Sequence, residues 1–242
     1  PLDSLPEDLR PLLTPLALHE GYVEARLLEM MADQVENAFG REQIDQLLSA
    51  LATAGLLRKL GQGIFELHPF LSGYLSDAWL PDVSEKDREG WTRAFVEVMA
   101  ALADSCNDTE LKIQRGAFRI HGSNLYRALH AAERRDMGDC LWVIEQTLAV
   151  KALNCRDFTE AKRLYSCLAD YASKAGMDEL KATAYHQLGR LAQERGEFDS
   201  AEKCYLHSLE IDEKFGYEAG LASDYHHLGI VAFSRLNVDA SE

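Results

Sequence analysis

The chain has 242 residues and a formal net charge of −15 at pH 7, and 47% of its residues are hydrophobic against 27% charged. This balance is typical of a folded chain and excludes a disordered one. No apolar run is long enough for a membrane span, no secretory leader pattern is present, and no segment is basic enough to neutralise nucleic-acid phosphates. We therefore expect a cytoplasmic protein that binds neither a membrane nor nucleic acid.

The prolines divide the chain into two architectures. All six lie at or before Pro81. Because proline breaks the interior of a helix, a compact, turn-rich unit is expected first and a long helical stretch after it. We predict a first domain at 1–80, a helical connector at 81–150 and a repeat region at 151–242.

The first unit has the pattern of helices closed by a hairpin. Helical spacing predicts helices over Leu5–Leu18 (with Ser4 as its cap), Val23–Ala38 and Arg41–Ala54. Two strands, Leu56–Leu60 and Ile64–Leu67, flank the turn Gly61-Gln62-Gly63, and a last helix follows His68-Pro69. Three helices, a hairpin and a trailing helix are the order of a winged helix.

A winged helix often reads DNA with its third helix. Here that helix places Arg41 beside Glu42 and Asp45, and the hairpin adds only Arg58 and Lys59. These few cations do not outweigh repulsion by phosphates, so a unit that packs against protein is favoured over one that reads DNA.

The second part repeats itself with a period of 40 residues. Tyr185-His186-Gln187-Leu188-Gly189 recurs as Tyr225-His226-His227-Leu228-Gly229. Glycine in mid-helix costs about 1 kcal/mol relative to alanine, which predicts that a neighbouring helix approaches both Gly189 and Gly229 too closely for a Cβ.

The repeat from Ala182 to Phe215 resembles a tetratricopeptide repeat. It has the aromatic Tyr185, the pair Leu188-Gly189, the turn Gly196-Glu197-Phe198, and then Ala201 and Tyr205. Its period is longer than the usual 34 residues. One repeat earlier only the second half of the motif is kept, and the last repeat is expected to be incomplete, so we expect a piece of a longer protein. The expected fold class is mostly α: a winged helix with a short β-hairpin, a helical connector and a right-handed α-solenoid.

The whole order resembles the region that follows the nucleotide-binding domain of STAND-type signalling ATPases, the NB-ARC and NACHT-like group. Three parts of the sequence show this resemblance: the segment IFELHPFLSGYL, the connector segment SNLYRALHAAERRDMGDCLWVIEQTLA and the repeats. The resemblance implies that His68 contacts the ADP phosphate in the parent protein. It also implies an upstream nucleotide-binding domain as a partner and leaves oligomerisation open.

No P-loop motif G-x-x-x-x-G-K-[ST] occurs, so we expect no enzyme in this chain. ADP or ATP is expected only with the upstream domain, and no cofactor in the chain itself. No metal site is expected either, because Cys204 and His207 are too few ligands for a structural zinc.

The first helix of each repeat pair is expected to line a concave groove that binds a protein or peptide. The candidate partner-binding residues on that face are His186, Arg190, Gln193, His226, Ile230 and Phe233. We therefore predict the non-catalytic sensing arm of a STAND-type ATPase. The alternatives are a repeat adaptor without a nucleotide switch and a repeat-containing transcription regulator.

Overall fold

A computed structural model describes residues 5–35, 39–107 and 109–239. The chain forms two compact units, Pro1–Ile144 and Glu145–Glu242, and each is described by itself. The predicted division at residues 80 and 150 stays a prediction. The predicted cap Ser4 and the predicted helix residue Ala38 lie outside the described residues.

The first predicted helix is divided in two. Glu7–Leu12 forms a 3-10 helix and Leu13–Ala17 forms helix α1. Pro11 lies inside the first piece and Pro15 inside the second. Since proline has no N–H to donate, one continuous α-helix over Leu5–Leu18 was the wrong expectation.

The second predicted helix begins too early. Tyr22–Glu24 is a strand, β1, and helix α2 covers only Ala25–Ala32. Strand β1 pairs antiparallel with the later strand Ile64–Leu67, with Val23 opposite Phe65. The pairing explains the difference, because it gives the β1 backbone hydrogen-bonding partners that a helix would otherwise supply.

The third helix and the hairpin are confirmed. Helix α3 covers Arg41–Thr53, and strands β2 (Leu57–Gly61) and β3 (Ile64–Leu67) pair antiparallel. The sheet has three strands in the order β1-β3-β2. Gln62 at the turn has a φ of +52°, between two glycines that also have positive φ.

Helices complete the first unit. Helix α4 covers Pro69–Tyr74, a π-helical turn covers Leu75–Trp79, and a 3-10 turn covers Leu80–Asp82. Helices α5 (Glu85–Asn107) and α6 (Leu111–Arg135) then pack against each other. The core is made of fully buried aliphatic side chains, including Leu12, Leu16, Leu28, Met31, Ile44, Leu48 and Leu51.

The remaining helices repeat with the predicted period. They are α7 (Gly138–Asn154), α8 (Phe158–Ala175), α9 (Asp178–Glu194), α10 (Phe198–Phe215) and α11 (Glu218–Asp239). Helices α7 and α9 begin 40 residues apart, as do α8 and α10. The left-handed residues that follow helices keep the same offset, with Asp136, Gly176 and Gly216 in one series and Arg156 and Gly196 in the other. The backbone of the earlier repeat thus keeps its first helix, although its sequence lacks the motif.

The two motif glycines differ in their surroundings. A Cβ at Gly189 would lie 2.7 Å from a ring carbon of Tyr205, which is fully buried. A Cβ at Gly229 would meet nothing within 4 Å. The predicted close approach is therefore confirmed at Gly189 and wrong at Gly229, where the described residues place no helix against the glycine.

Within the described ranges, no helix combines the length and the apolar character that crossing a bilayer requires.

Candidate functional site

Helices α9, α10 and α11 line an open pocket of about 410 Å³, which we call the acidic pocket. It is lined by Glu179, Ala182, Thr183, His186, Ser208, Asp212, Tyr217, Glu218, Ala219, Gly220 and Ser223. Glu179, Thr183 and Glu218 are exposed, while Asp212 is buried. The pocket therefore has a polar rim open to solvent and a carboxylate in its wall.

Asp212 is unusual for its burial. It is only 3% exposed. Burial away from water, and then the neighbouring Asp224 carboxylate, raise the pKa of Asp212 to about 6; His186 opposes this rise and Glu179 adds to it. Gly220 allows the arrangement, because a Cβ there would collide with the Asp212 carboxylate.

His186 joins one repeat to the next. Its Nδ1 lies 2.6 Å from Oδ1 of Asp224 on α11, and Asp224 is fully buried. The other Asp224 oxygen, Oδ2, has no hydrogen-bond partner. Because a buried carboxylate that loses its partner is costly, removing His186 should destabilise this contact between repeats.

A second polar link lies beside the first. The Tyr205 hydroxyl donates to Oε1 of Gln193 at 2.9 Å, and Nδ1 of His227 lies 3.2 Å from the same oxygen. The His227 ring stacks on Tyr205 with centroids 5.2 Å apart. Burial, and then the charge of His186, lower the pKa of His227. His227 therefore takes part in the network, and sequence analysis missed it because the repeat aligned His186 with His226.

The predicted groove residues fall into two groups. His186 and Gln193 belong to the hydrogen-bonded network just described, and the Arg190 guanidinium donates to Gln187 at 3.1 Å. His226 is exposed and Ile230 is half-buried. Phe233 is 67% exposed, which is unusual for a large apolar side chain. The second group thus offers an apolar and aromatic surface to solvent on α11.

Ser223, His186 and Asp224 have the atoms of a nucleophile triad. Oγ of Ser223 lies 3.4 Å from Nε2 of His186, whose Nδ1 faces Asp224. Acyl transfer also needs donors for an oxyanion. Ser223 lies inside α11, beyond its first turn, so the adjacent N–H groups are used by the helix itself. We interpret the arrangement as one that orients the His186 ring.

His68 is the N-cap residue that immediately precedes helix α4. Its Nδ1 accepts a hydrogen bond from the N–H of Phe70 at 3.1 Å, so the ring acts as the amino-terminal cap. This geometry leaves Nε2 free of the cap. Phe70 beside it is 66% exposed.

Several charged groups on the surface of the first unit form ion pairs. Arg41 on α3 contacts Asp45 at 3.0 Å and Glu29 at 3.2 Å. A larger pocket of about 670 Å³ lies in this unit and includes Trp79 and Trp91. Arg93, on its wall, pairs with Glu89 at 3.0 Å. This pocket is larger, but we regard the acidic pocket as the better candidate binding site, because a buried carboxylate lines it.

Over the described ranges, no three histidine, cysteine, aspartate or glutamate side chains are placed to hold a metal ion.

One comparison with known proteins agrees with the repeat. Residues 146–214 match the family model described as tetratricopeptide repeat. None of the curated proteins matches the chain in sequence. A solved STAND protein with a tetratricopeptide repeat sensor, from Pyrococcus horikoshii, is similar at 13% identity with a TM-score of 0.42. The similarity covers 96% of this chain and 48% of that one, so the chain spans about half its length.

Proposed function

We propose that this chain is the regulatory and sensing arm of a STAND-type signalling ATPase, in which the repeats bind a protein or peptide partner. The observation that carries the proposal is the succession of helix pairs in a 40-residue period within a region that matches tetratricopeptide repeats. Repeats of this kind present extended concave surfaces to partners. The exposed side chains of His226 and Phe233 supply the surface for contact.

The first unit is assigned the regulatory role. Its elements follow the order helix, β1, α2, α3, β2, β3, which supports a winged helix. In the proposed mechanism this unit packs on the ADP-bound nucleotide-binding domain and holds it closed. A partner on the repeats shifts that equilibrium only if it binds the two states with unequal affinity.

A second candidate, an adaptor without a nucleotide switch, is favoured by one observation. The His68 ring is already used as a helix cap by Phe70. A cap alone accounts for a histidine at this position, since a side-chain acceptor there satisfies an N–H of the first helical turn.

The two candidates are separated in the full-length parent protein. His68→Ala removes both cap and imidazole, whereas His68→Asn keeps a good capping side chain. If His68 contacts the ADP phosphate, both variants lower ADP affinity by roughly tenfold or more, a loss of about 1.4 kcal/mol. Unchanged ADP affinity and oligomeric state in both variants, and after deletion of the repeats, would contradict the nucleotide switch and favour the adaptor.

The binding face is tested with peptides selected by display on the 242-residue chain. Phe233→Ala should weaken the selected peptides by roughly tenfold, because it removes exposed apolar contact area. Leu206→Ala is the matched control, since Leu206 is another exposed apolar residue but lies on α10. Equal losses in the two variants would argue against a face formed by α9 and α11.

A further inference from the structure

We propose that the acidic pocket receives a positively charged side chain, arginine or lysine, of the protein segment that binds the repeats. This inference rests on the proposed function and names the chemistry of one contact within it. It is carried by the charge of the pocket wall, the burial of Asp212 and the shape of the opening.

The charge of the pocket is not balanced from within. Glu179, Asp212 and Glu218 line it, and among the described lining residues there is no lysine or arginine. His186 is the one lining histidine among the described residues, and its Nδ1 is directed to Asp224. An anionic ligand would face three carboxylates, so a cation is the complementary occupant.

The Asp212 carboxylate lines the pocket without a protein partner among the described residues. Asp212 is 3% exposed, and within the described ranges no hydrogen bond or ion pair reaches its carboxylate. Buried polar groups in native proteins almost always have a partner, which is protein, ordered water or a ligand. The Asp212 carboxylate is therefore available to a donor that enters through the open pocket. The amino-terminal end of α11 lies at the pocket and offsets part of the charge, but burial still raises the pKa of Asp212.

The buried carboxylate of Asp224 adds to the negative electrostatic potential near Asp212. Asp224 is fully buried, and its Oδ2 has no partner. The groups that face Asp212 are therefore Glu179 and His186 on α9 and Asp224 on α11. A guanidinium or ammonium group supplies both the positive charge and the N–H donors that are lacking here.

The shape of the pocket suits a long side chain with a charged tip. Exposed Glu179 and Glu218 stand at the rim, and buried Asp212 lies deeper. Ala182 and Ala219 provide apolar wall for the methylene stem, which arginine and lysine bury readily while the charge finds its partner. The volume of about 410 Å³ exceeds what one such side chain needs, so the adjoining backbone of a bound segment also fits.

The test is a titration of the isotope-labelled 242-residue chain with Nα-acetyl-arginine amide, followed by the backbone amide signals of α9, α10 and α11. The uncharged isostere Nα-acetyl-citrulline amide is the matched probe, and Nα-acetyl-lysine amide is the second cation. We expect saturable shifts around the pocket with Kd on the order of 1 mM for the cations and at least roughly tenfold weaker binding of citrulline.

Two variants locate the interaction. Asp212→Asn removes the carboxylate while keeping its shape, and should weaken both cations by roughly tenfold. Glu210→Gln removes the same charge from an exposed position of the same helix and should leave affinity within about twofold. Thermal unfolding of Asp212→Asn shows that the variant is folded, so a loss of binding is not a loss of structure.

Besides a failure of both cations to bind, three results would overturn the inference. The first is equal affinity for the arginine and citrulline amides, and the second is cation binding that Asp212→Asn does not weaken. The third is tight binding of free spermidine without binding of the amino-acid amides, which would indicate that the pocket takes a small polyamine. If the cations fail while selected peptides still depend on Phe233, the groove proposal stands and only this inference fails. If the cations do not bind and the selected peptides do not depend on Phe233, both the groove proposal and this inference are wrong.

Discussion

Asn124 in the first unit and Asp212 in the second are both buried and polar, but only one has its hydrogen bonds satisfied. Oδ1 of Asn124 accepts from the Glu20 N–H at 2.6 Å, and its Nδ2 donates to the Tyr22 carbonyl at 2.9 Å. Asp212 has no such partner among the described residues and a pKa raised to about 6 by burial. The contrast separates a buried polar group that holds a fold from one that is available to a ligand.

Two histidines, buried His19 in the first unit and half-buried His186 in the second, show a similar contrast. His19 lies in the first unit, where burial lowers its pKa to about 4 although its ring bonds to the Pro15 carbonyl. His19 is therefore uncharged at neutral pH. His186 in the second unit instead faces the Asp224 carboxylate at 2.6 Å. The first unit thus buries His19 as a neutral group, whereas the second unit buries the acids Asp212 and Asp224.

The largest expected effect comes from breaking the link between repeats. His186→Ala should lower the free energy of unfolding by about 3–5 kcal/mol, because it leaves Asp224 buried without its partner. Urea unfolding measures this change. His226→Ala is the control and should shift stability by less than about 0.5 kcal/mol, since His226 is exposed. Similar losses in both variants would place the link elsewhere.

The next effect concerns the satisfied amide of the first unit. Asn124→Ala leaves the Glu20 N–H and the Tyr22 carbonyl without their partner. Both backbone groups are only partly buried, so each lost hydrogen bond costs about 0.5–1.5 kcal/mol, and we expect a loss of roughly 1–3 kcal/mol in urea unfolding. A neutral result would show that water replaces the side chain.

Asp212→Asn should raise the free energy of unfolding rather than lower it. The pKa of Asp212 is about 6 in the folded chain and has an ordinary value of 3.8. Between these two pH values the folded chain binds the proton more tightly than the unfolded chain does, so wild-type stability falls as the pH rises from about 3.8 to about 6. The variant carries no acid there and should be more stable by up to roughly 3 kcal/mol at pH 7.5. The gain should shrink as the pH falls and vanish below about pH 3, where the acid is protonated in both states. A loss of stability at pH 7.5 would show that the carboxylate has a structural partner.

The smallest effects are expected at the two motif glycines. The same change to alanine should lower stability at one and raise it at the other, although the two occupy equivalent positions of the repeat. Gly189→Ala should cost about 1–3 kcal/mol, because the new methyl group meets the buried ring of Tyr205. Gly229→Ala should gain up to about 1 kcal/mol from helix propensity, since its surroundings are open. Thermal denaturation compares the two. Equal losses would mean that a further helix packs on Gly229.

Local pattern predicted much of the fold, but not the pairing of distant segments. The hairpin and α3 follow from turn glycines and helical spacing, and the 40-residue period located the helix pairs. Strand β1 was missed because Val23 and Leu27 also fit the spacing of a helix. What decides its structure is pairing with Phe65, far along the chain.

The site was predicted only in part for a related reason. The repeat marked His186, but its partner Asp224 lies on the next first helix, and no motif connects the two. Asp212 did leave a signal. It stands on the buried stripe of Tyr205, Ser208 and Leu209, where helical spacing requires an apolar residue. A charged residue on such a stripe indicates a site better than an exposed histidine does.

Hydrogen exchange of the 242-residue chain with and without a display-selected peptide tests the central claim most directly. The account predicts slower exchange in α9 and α11, strongest near Thr183–Gln193 and Ser223–Phe233, with little change in β1–β3. Protection confined to the first unit, or unchanged exchange in α9 and α11 at saturating peptide, would contradict a binding face on the repeats.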